Sequence, residues 1–181
     1  MQDTPDLVVL AEDEAKAYLQ APAQAVWAPK GQMPQVRLDP RKDSACFSGT
    51  LDLRTGQEIV TRSEVMNSEA TIAHLEAILA AYPNRGMLRF WDRAPWHTSW
   101  EVQAFLQRAW RIEVVPFPVG APDLNPQEHV WKLTRRAIEH NHDHTRIGAL
   151  ADAFEAELRS RTFASSFFVK YGGEVVCPFL E

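Results

Sequence analysis

The sequence predicts an α/β fold, a mixed β-sheet flanked by α-helices. Short strand-like apolar runs fill the first third of the chain, and helix-period and strand-period segments alternate after it. Turn signals rich in Pro, Gly and Asn punctuate the two kinds.

Residues 7–12 read as a buried strand in which Leu7, Val9, Ala11 and Asp13 share one face, while Glu12 and Glu14 point the other way. Residues 25–28 and 44–53 read as further strands. The turn Arg54-Thr55-Gly56-Gln57 returns the chain into residues 58–61 as a hairpin. Asn67 or Ser68 caps a helix with Ile72, Leu75, Leu79 and Tyr82 at three-four spacing, and Pro83-Asn84-Arg85-Gly86 ends it. Residues 87–91 form the next strand, with Asp92 at its carboxyl end. Thr98 or Ser99 opens a helix carrying Val102, Phe105, Leu106 and Ala109, and residues 112–115 give another strand. After a Pro-rich loop, Asn125 as cap and Pro126 in the first turn start a helix expected to reach about His140. Ile147, Leu150, Phe154 and Leu158 mark a long helix, and residues 163–171 a short aromatic one.

A chain of 181 residues, 45% hydrophobic and 24% charged, suits a single domain over residues 1–181, with C-terminal helices of residues 145–171 packing on it. The apolar run at residues 7–11 is too short to span a bilayer, so no membrane is expected. Cys46 and Cys177 lack zinc spacing or a disulfide framework, and a cytoplasmic location follows as the default. A net charge of −5 argues against a broad DNA-binding surface but leaves room for local basic stripes. One is Lys132, Arg135 and Arg136, running on to His140, His142, His144 and Arg146. A second is Lys30, Arg37, Arg41 and Lys42. Either stripe is also explicable as a solvated face, and the three histidines do not share one helical face as metal ligands would.

Asp13, Asp92 and Glu128 lie far apart in sequence, each at a strand end or a helix start. Were the fold to bring them together, their repulsion would call for a hard cation such as Mg²⁺. Two such ions about 3.5–4 Å apart can activate a nucleophile and stabilise a leaving oxygen in phosphodiester cleavage. Each acid also has a local reading. Asp13 is a polar strand terminus between Glu12 and Glu14. Asp92 pairs with Arg93 or caps the next turn, and Glu128 completes a capping box with Asn125.

Longer strings decide among these readings. Asp123-Leu124-Asn125-Pro126-Gln127-Glu128-His129-Val130-Trp131 resembles the Pro-Asp-Leu-Asn-Pro-Ile-Glu-x-x-Trp motif of DDE superfamily transposases, in the bacterial insertion-sequence branch related to mariner elements. Trp91-Asp92 followed by His97 resembles that family's Asp-Asn-Ala-x-x-His string, and Glu12-Asp13-Glu14-Ala15 its first acidic block. Trp27-Ala28-Pro29-Lys30-Gly31-Gln32 with Pro34, and residues 49–56 with Gly49 and Gly56 at their ends, match two further strings, so the likeness spans roughly residues 7–140.

The resemblance implies an RNase H-like fold and a catalytic triad of Asp13, Asp92 and Glu128 that binds two Mg²⁺ or Mn²⁺. It also implies cleavage at transposon ends followed by strand transfer into TA-containing target DNA. Lys132, Arg135, Arg136, Arg93 and His97 are the residues expected to meet DNA, with His97 alternatively orienting Asp92 or serving structurally. Arg93 stands where the family usually has Asn, and Gln127 where Ile is typical; an Arg there pairs with the neighbouring carboxylate or contacts a phosphate. Family members carry helix-turn-helix domains ahead of the catalytic domain. Only six residues precede the first strand here, so no such N-terminal domain is expected, and a separate helix-turn-helix chain and a homodimer are the implied partners. The other readings are a decayed or repurposed domain that binds DNA or a partner without catalysis, and a structure-selective nuclease of the same fold.

Overall fold

A computed structural model describes residues 7–20, 28–32, 41–118, 124–140 and 142–163. Five strands form one sheet in the order β3-β2-β1-β4-β5, comprising β1 (Leu7–Tyr18), β2 (Ser44–Asp52), β3 (Glu58–Ser63), β4 (Gly86–Trp91) and β5 (Ile112–Pro116). The first three strands pair antiparallel, while β4 lies parallel to β1 and β5 parallel to β4. The sheet is therefore mixed, as expected. Helices α1 (Ser68–Ala81), α2 (Trp100–Arg108), α3 (Pro126–Thr134) and α4 (Ile147–Ser160) flank it.

The two faces of the sheet carry separate cores. Ala11, Ala15 and Ala17 of β1, with Phe47, Leu51 and Val60, pack against Val130 and Trp131 of α3 and Ala151, Phe154 and Leu158 of α4. The Phe47 and Phe154 rings stack at 4.9 Å. Val8 and Leu10, of opposite parity on β1, join Met87, Trp91 and Ile112 beneath Leu75 and Ile78 of α1 and Val102 of α2. Alternation along one strand thus feeds two apolar layers.

Cap chemistry sets the helix starts where the sequence placed them. Asn67 accepts from Ala70 N, Ser99 from Val102 N and Asn125 from Gln127 N. Asp52 Oδ1 accepts from Arg54 N and Thr55 N, closing the hairpin turn. Gly56 completes that turn at φ 72, a conformation that favours glycine.

Four expectations need correction. The first strand runs on to Tyr18, because its antiparallel register with β2 continues from Leu10↔Asp52 to Tyr18↔Ser44. Asp13 therefore sits inside a strand and not at its end. The α-helix that begins at Pro126 stops at Thr134 and continues as a π-helical turn, Arg135–Glu139. In that turn Glu139 accepts from Tyr18 N and meets Arg135, tying the turn to the end of β1. Of the strand expected at 25–28, Ala28 is not in a strand and the rest lies outside the described residues; of the helix expected at 163–171, Phe163 is not helical and the rest lies outside them. Among the described residues no helix is long and apolar enough to cross a membrane.

Candidate active site

Strand parity sends the three consecutive acids of β1 to opposite faces. Asp13 shares the face of Ala11 and Ala15, beneath α3, and stands opposite Gly49 of β2. Continuing the parallel register Ala11↔Phe90 by two residues sets Asp13 beside Asp92, just past the end of β4. Glu128 arrives on the first turn of α3. The α3 helix is fixed there by the Asn125 cap and by Trp131, whose Nε1 donates to Asp13 Oδ2 at 3.2 Å.

The electrostatics register this convergence. Burial pushes the Asp13 carboxyl up to about 7, and the charge of Glu128, followed by those of Glu14 and Asp92, pushes in the same direction. Asp92 behaves oppositely. The hydrogen bond from His97 is the main cause that lowers its pKa, and the bond from Ala94 N assists. Glu128 is exposed, and among the described residues its carboxylate makes no hydrogen bond back to Asn125, so its capping-box reading does not hold.

His97 is the residue whose expected role changes most. It is 1% exposed, with Nδ1 2.9 Å from Asp92 Oδ1 and Nε2 2.8 Å from Glu14 Oε1. Its ring stacks on Trp91 at 4.1 Å. Burial alone would lower its pKa. The hydrogen bonds to Asp92 and Glu14, with the charges of Glu14 and Glu12, outweigh that and push it up to about 10. It is a buried imidazolium between two carboxylates. Neither ring nitrogen is left for a phosphate, and the expected DNA contact is corrected to an orienting contact on Asp92.

Arg89 completes the opposite face, and sequence reasoning missed it. It is fully buried on β4, pairs with the fully buried Glu12 and lies over the Trp91 ring at 3.6 Å. Burial pushes Glu12 up while Arg89 pulls it down. Ligand-type atoms of Glu12, Glu14 and His97 lie within 4.8 Å of one another and could hold a metal ion. That side, however, already holds two protein cations, Arg89 and His97. On the Asp13 side Asp92 is also held by His97, while Asp13 and Glu128 pair with no cation among the described residues; the oxygens of Asp13, Asp92 and Glu128 do not all lie within 4.8 Å of one another, although carboxylates are the donors a hard divalent cation takes.

The remaining site expectations divide. Lys132 and Arg136 are exposed, whereas Arg135 is half-buried at 3.5 Å from Glu139. Arg93 is exposed and does not pair with Asp92; His97 takes that place. Of the tryptophans, Trp131 and Trp91 are buried and Trp96 donates to Glu14. Trp100 and Trp110 are exposed, while Trp27 and Arg37 lie outside the described residues.

A mixed sheet bearing acids on a central strand, past the neighbouring strand and on a helix start defines the class, an α/β nuclease-type domain. The chain belongs to the DDE superfamily endonucleases, whose family model matches residues 8–151. It is 29% identical over 129 residues to the Tc1 transposase of Caenorhabditis elegans, covering 69% of this chain and 46% of the relative. Its fold is similar to that in a crystal structure of the Mos1 mariner paired-end complex with Mn, with a TM-score of 0.64 and 15% identity, covering 86% of this chain and 49% of that one. A Mos1 transposase catalytic domain with raltegravir and Mg superposes with a TM-score of 0.61 at 14% identity, covering 90% and 75% of the two chains. The chain thus spans about half the length of the curated relative and of the paired-end transposase.

Proposed function

We propose that this domain cuts DNA phosphodiester bonds at transposon ends and joins the freed strand to target DNA, using Asp13, Asp92 and Glu128 to hold two divalent cations, Mg²⁺ or Mn²⁺. What supports the reading is the placement of Asp13 on β1 in register with Asp92 past β4, near enough to Asp92 and to Glu128 of α3 that their charges add to the burial that raises the Asp13 pKa to about 7. Bound divalent cations supply activation of the attacking oxygen and stabilisation of the leaving one.

The chain's own residues prepare the site. Trp131 Nε1 fixes one Asp13 oxygen. His97 and Ala94 N hold Asp92 ionised. To hold a cation Asp13 would have to be ionised, which would couple loading to pH. Hydrolysis adds water across one P–O bond and leaves a 3′ hydroxyl. That hydroxyl then attacks a target phosphodiester, so one P–O bond forms as another breaks and its proton passes to solvent. Lys132 and Arg136 follow Glu128 at four-residue steps and suit the phosphate backbone. The TA-containing target, a partner chain with helix-turn-helix domains, and a homodimer belong to the same reading. The similar fold of the Mos1 mariner transposase in its paired-end complex supports DNA ends as substrate.

The test is Mn²⁺ calorimetry and Mn²⁺-dependent cleavage of DNA bearing transposon ends, using the wild-type chain, Asp92→Asn and Glu128→Gln. Both substitutions should abolish cleavage and weaken Mn²⁺ binding with melting little changed. Cleavage that survives both would sink the triad. A wild-type chain that binds no Mn²⁺, even with DNA, points to a non-catalytic binding domain. Activity confined to branched DNA or RNA–DNA hybrids points to a structure-selective nuclease.

A further inference from the structure

A fourth carboxylate lies near the site on the same sheet face but outside the triad. Glu58, at the start of β3, is partly buried and accepts a hydrogen bond at 2.5 Å from Nε2 of Gln127, itself 0% exposed. Two buried oxygens beside that bond lack partners: Glu58 Oε2 and Gln127 Oε1. Buried polar atoms are normally satisfied, and these two are complementary once the acid is neutral. A protonated carboxyl donates its O–H to the amide oxygen while the amide N–H donates to the other carboxyl oxygen. Burial raises the Glu58 pKa well above the ordinary value, consistent with a neutral acid.

Gly49 makes room for the pair. A Cβ there would lie 2.5 Å from Gln127 Nε2 and from Trp131 Cη2, and closer still to Glu58 Oε1. Gly49 is also the β2 residue directly opposite Asp13. Gln127 and Trp131 are one helical turn apart, so α3 sits on the sheet through two side chains: Gln127 on Glu58 and Trp131 on Asp13. Glu128 is the residue next to Gln127.

Building on the proposed triad, we infer that Glu58 is a positioning residue: as a neutral acid it forms a two-bond pair with Gln127 that fixes the first turn of α3 and so aims the Glu128 carboxylate at Asp13. The pair acts only through Gln127 and touches no reacting atom.

The test compares the wild-type chain with Glu58→Gln, Glu58→Leu, Gln127→Ile and the double variant Glu58→Leu/Gln127→Ile, using thermal melts, Mn²⁺ calorimetry and infrared spectroscopy of the carboxyl stretch. A protonated-carboxyl band should persist at pH 8 in the wild-type chain and vanish in Glu58→Gln. Glu58→Gln, which keeps a neutral two-bond partner, should bind Mn²⁺ within about twofold of wild type, and each apolar single variant should bind about tenfold more weakly. The double variant, which strands no buried polar atom, should regain the melting temperature. Glu58→Leu melting lower with unchanged Mn²⁺ affinity would overturn the positioning role, and Glu58→Gln as damaging as Glu58→Leu would overturn the neutral pair. A wild-type chain that binds no Mn²⁺ would overturn the metal-site reading and the positioning role with it, while the pair would then stand or fall on the infrared band.

Discussion

Strand β1 presents three consecutive acids to two different environments. On one face Glu12 and Glu14 meet Arg89 and His97, so each charge is matched by a cation built into the protein. On the other face Asp13 meets a neutral tryptophan N–H, a glycine and two further carboxylates. The residue types are alike, and parity alone assigns them. What separates a structural acid from a candidate ligand here is whether the fold supplies the counter-charge. Glu12 and Glu14 each have an internal cationic partner, as Asp92 has in His97, whereas Asp13 and Glu128 have none among the described residues, which favours an outside cation.

The sharpest way to break this comparison is to exchange neutral residues between the faces. Asp13→Asn should lower metal-dependent cleavage by about 10³-fold or more, the scale of several kcal/mol of lost charge stabilisation. Glu14→Gln should lower it only about 10–100-fold, because Glu14 acts on Asp92 through His97. If Glu14→Gln loses Mn²⁺ binding as completely as Asp13→Asn, the metal belongs to the Glu12–Glu14–His97 cluster and the two faces must be reassigned.

Stability should divide the other way. Arg89→Leu leaves Glu12 as an unpaired charge in a fully buried site, which costs about 3–5 kcal/mol. Asp13→Asn relieves repulsion and should melt no lower than wild type. Denaturant titration checks both, and an Arg89→Leu chain as stable as wild type would remove the paired-charge account of that face.

Much of this contrast was legible in sequence. Parity already separated Asp13 from Glu12 and Glu14, and Asn125-Pro126 announced the helix start that delivers Glu128. The length of β1 was readable too, since Ala15, Ala17 and Leu19 alternate with Lys16, Tyr18 and Gln20. The ion pair of Glu12 with Arg89 was not, because it exists only once β4 lies beside β1, which no local pattern specifies. The same holds for His97. Its place after Asp92 suggested an orienting role, but the second carboxylate comes from β1, and only the two together make it a buried cation.

A smaller effect, set by pH, sharpens the Asp13 side. Its pKa rises from 3.8 to about 7 on folding, so the folded chain holds that proton more tightly than the unfolded chain. Stability from this group is complete below pH ~4 and falls as the pH rises through about 7, by at most about 4 kcal/mol. Asp13→Asn should lack this slope, and saturating Mn²⁺ should flatten it in the wild-type chain. A wild-type slope that Mn²⁺ leaves untouched would mean the cation does not reach Asp13. His74 bounds the acid side. It is buried between Thr50 and Thr61 with its pKa lowered to about 3, so its contribution is present above pH ~6.5 and is lost toward pH 3.

The smallest expected effects lie on the exposed flank of α3, where the unmatched face would meet its substrate. Lys132 lies one turn beyond Glu128, and Arg136 follows after a further four residues. Both are exposed. Arg135 is half-buried against Glu139, whose other oxygen holds the Tyr18 amide. Charge in this stretch is therefore divided as it is on β1, into cations available to an outside partner and one engaged within the fold. Lys132→Ala and Arg136→Ala should each weaken DNA binding about equally for all sequences and reduce the log–log salt slope by about 1. Arg135→Ala should lower the melting temperature while leaving that slope nearly unchanged. Affinity measured across a salt series separates the two outcomes. A slope that falls for Arg135→Ala but not for Lys132→Ala would move the phosphate path off this flank and leave Glu128 approached from another side.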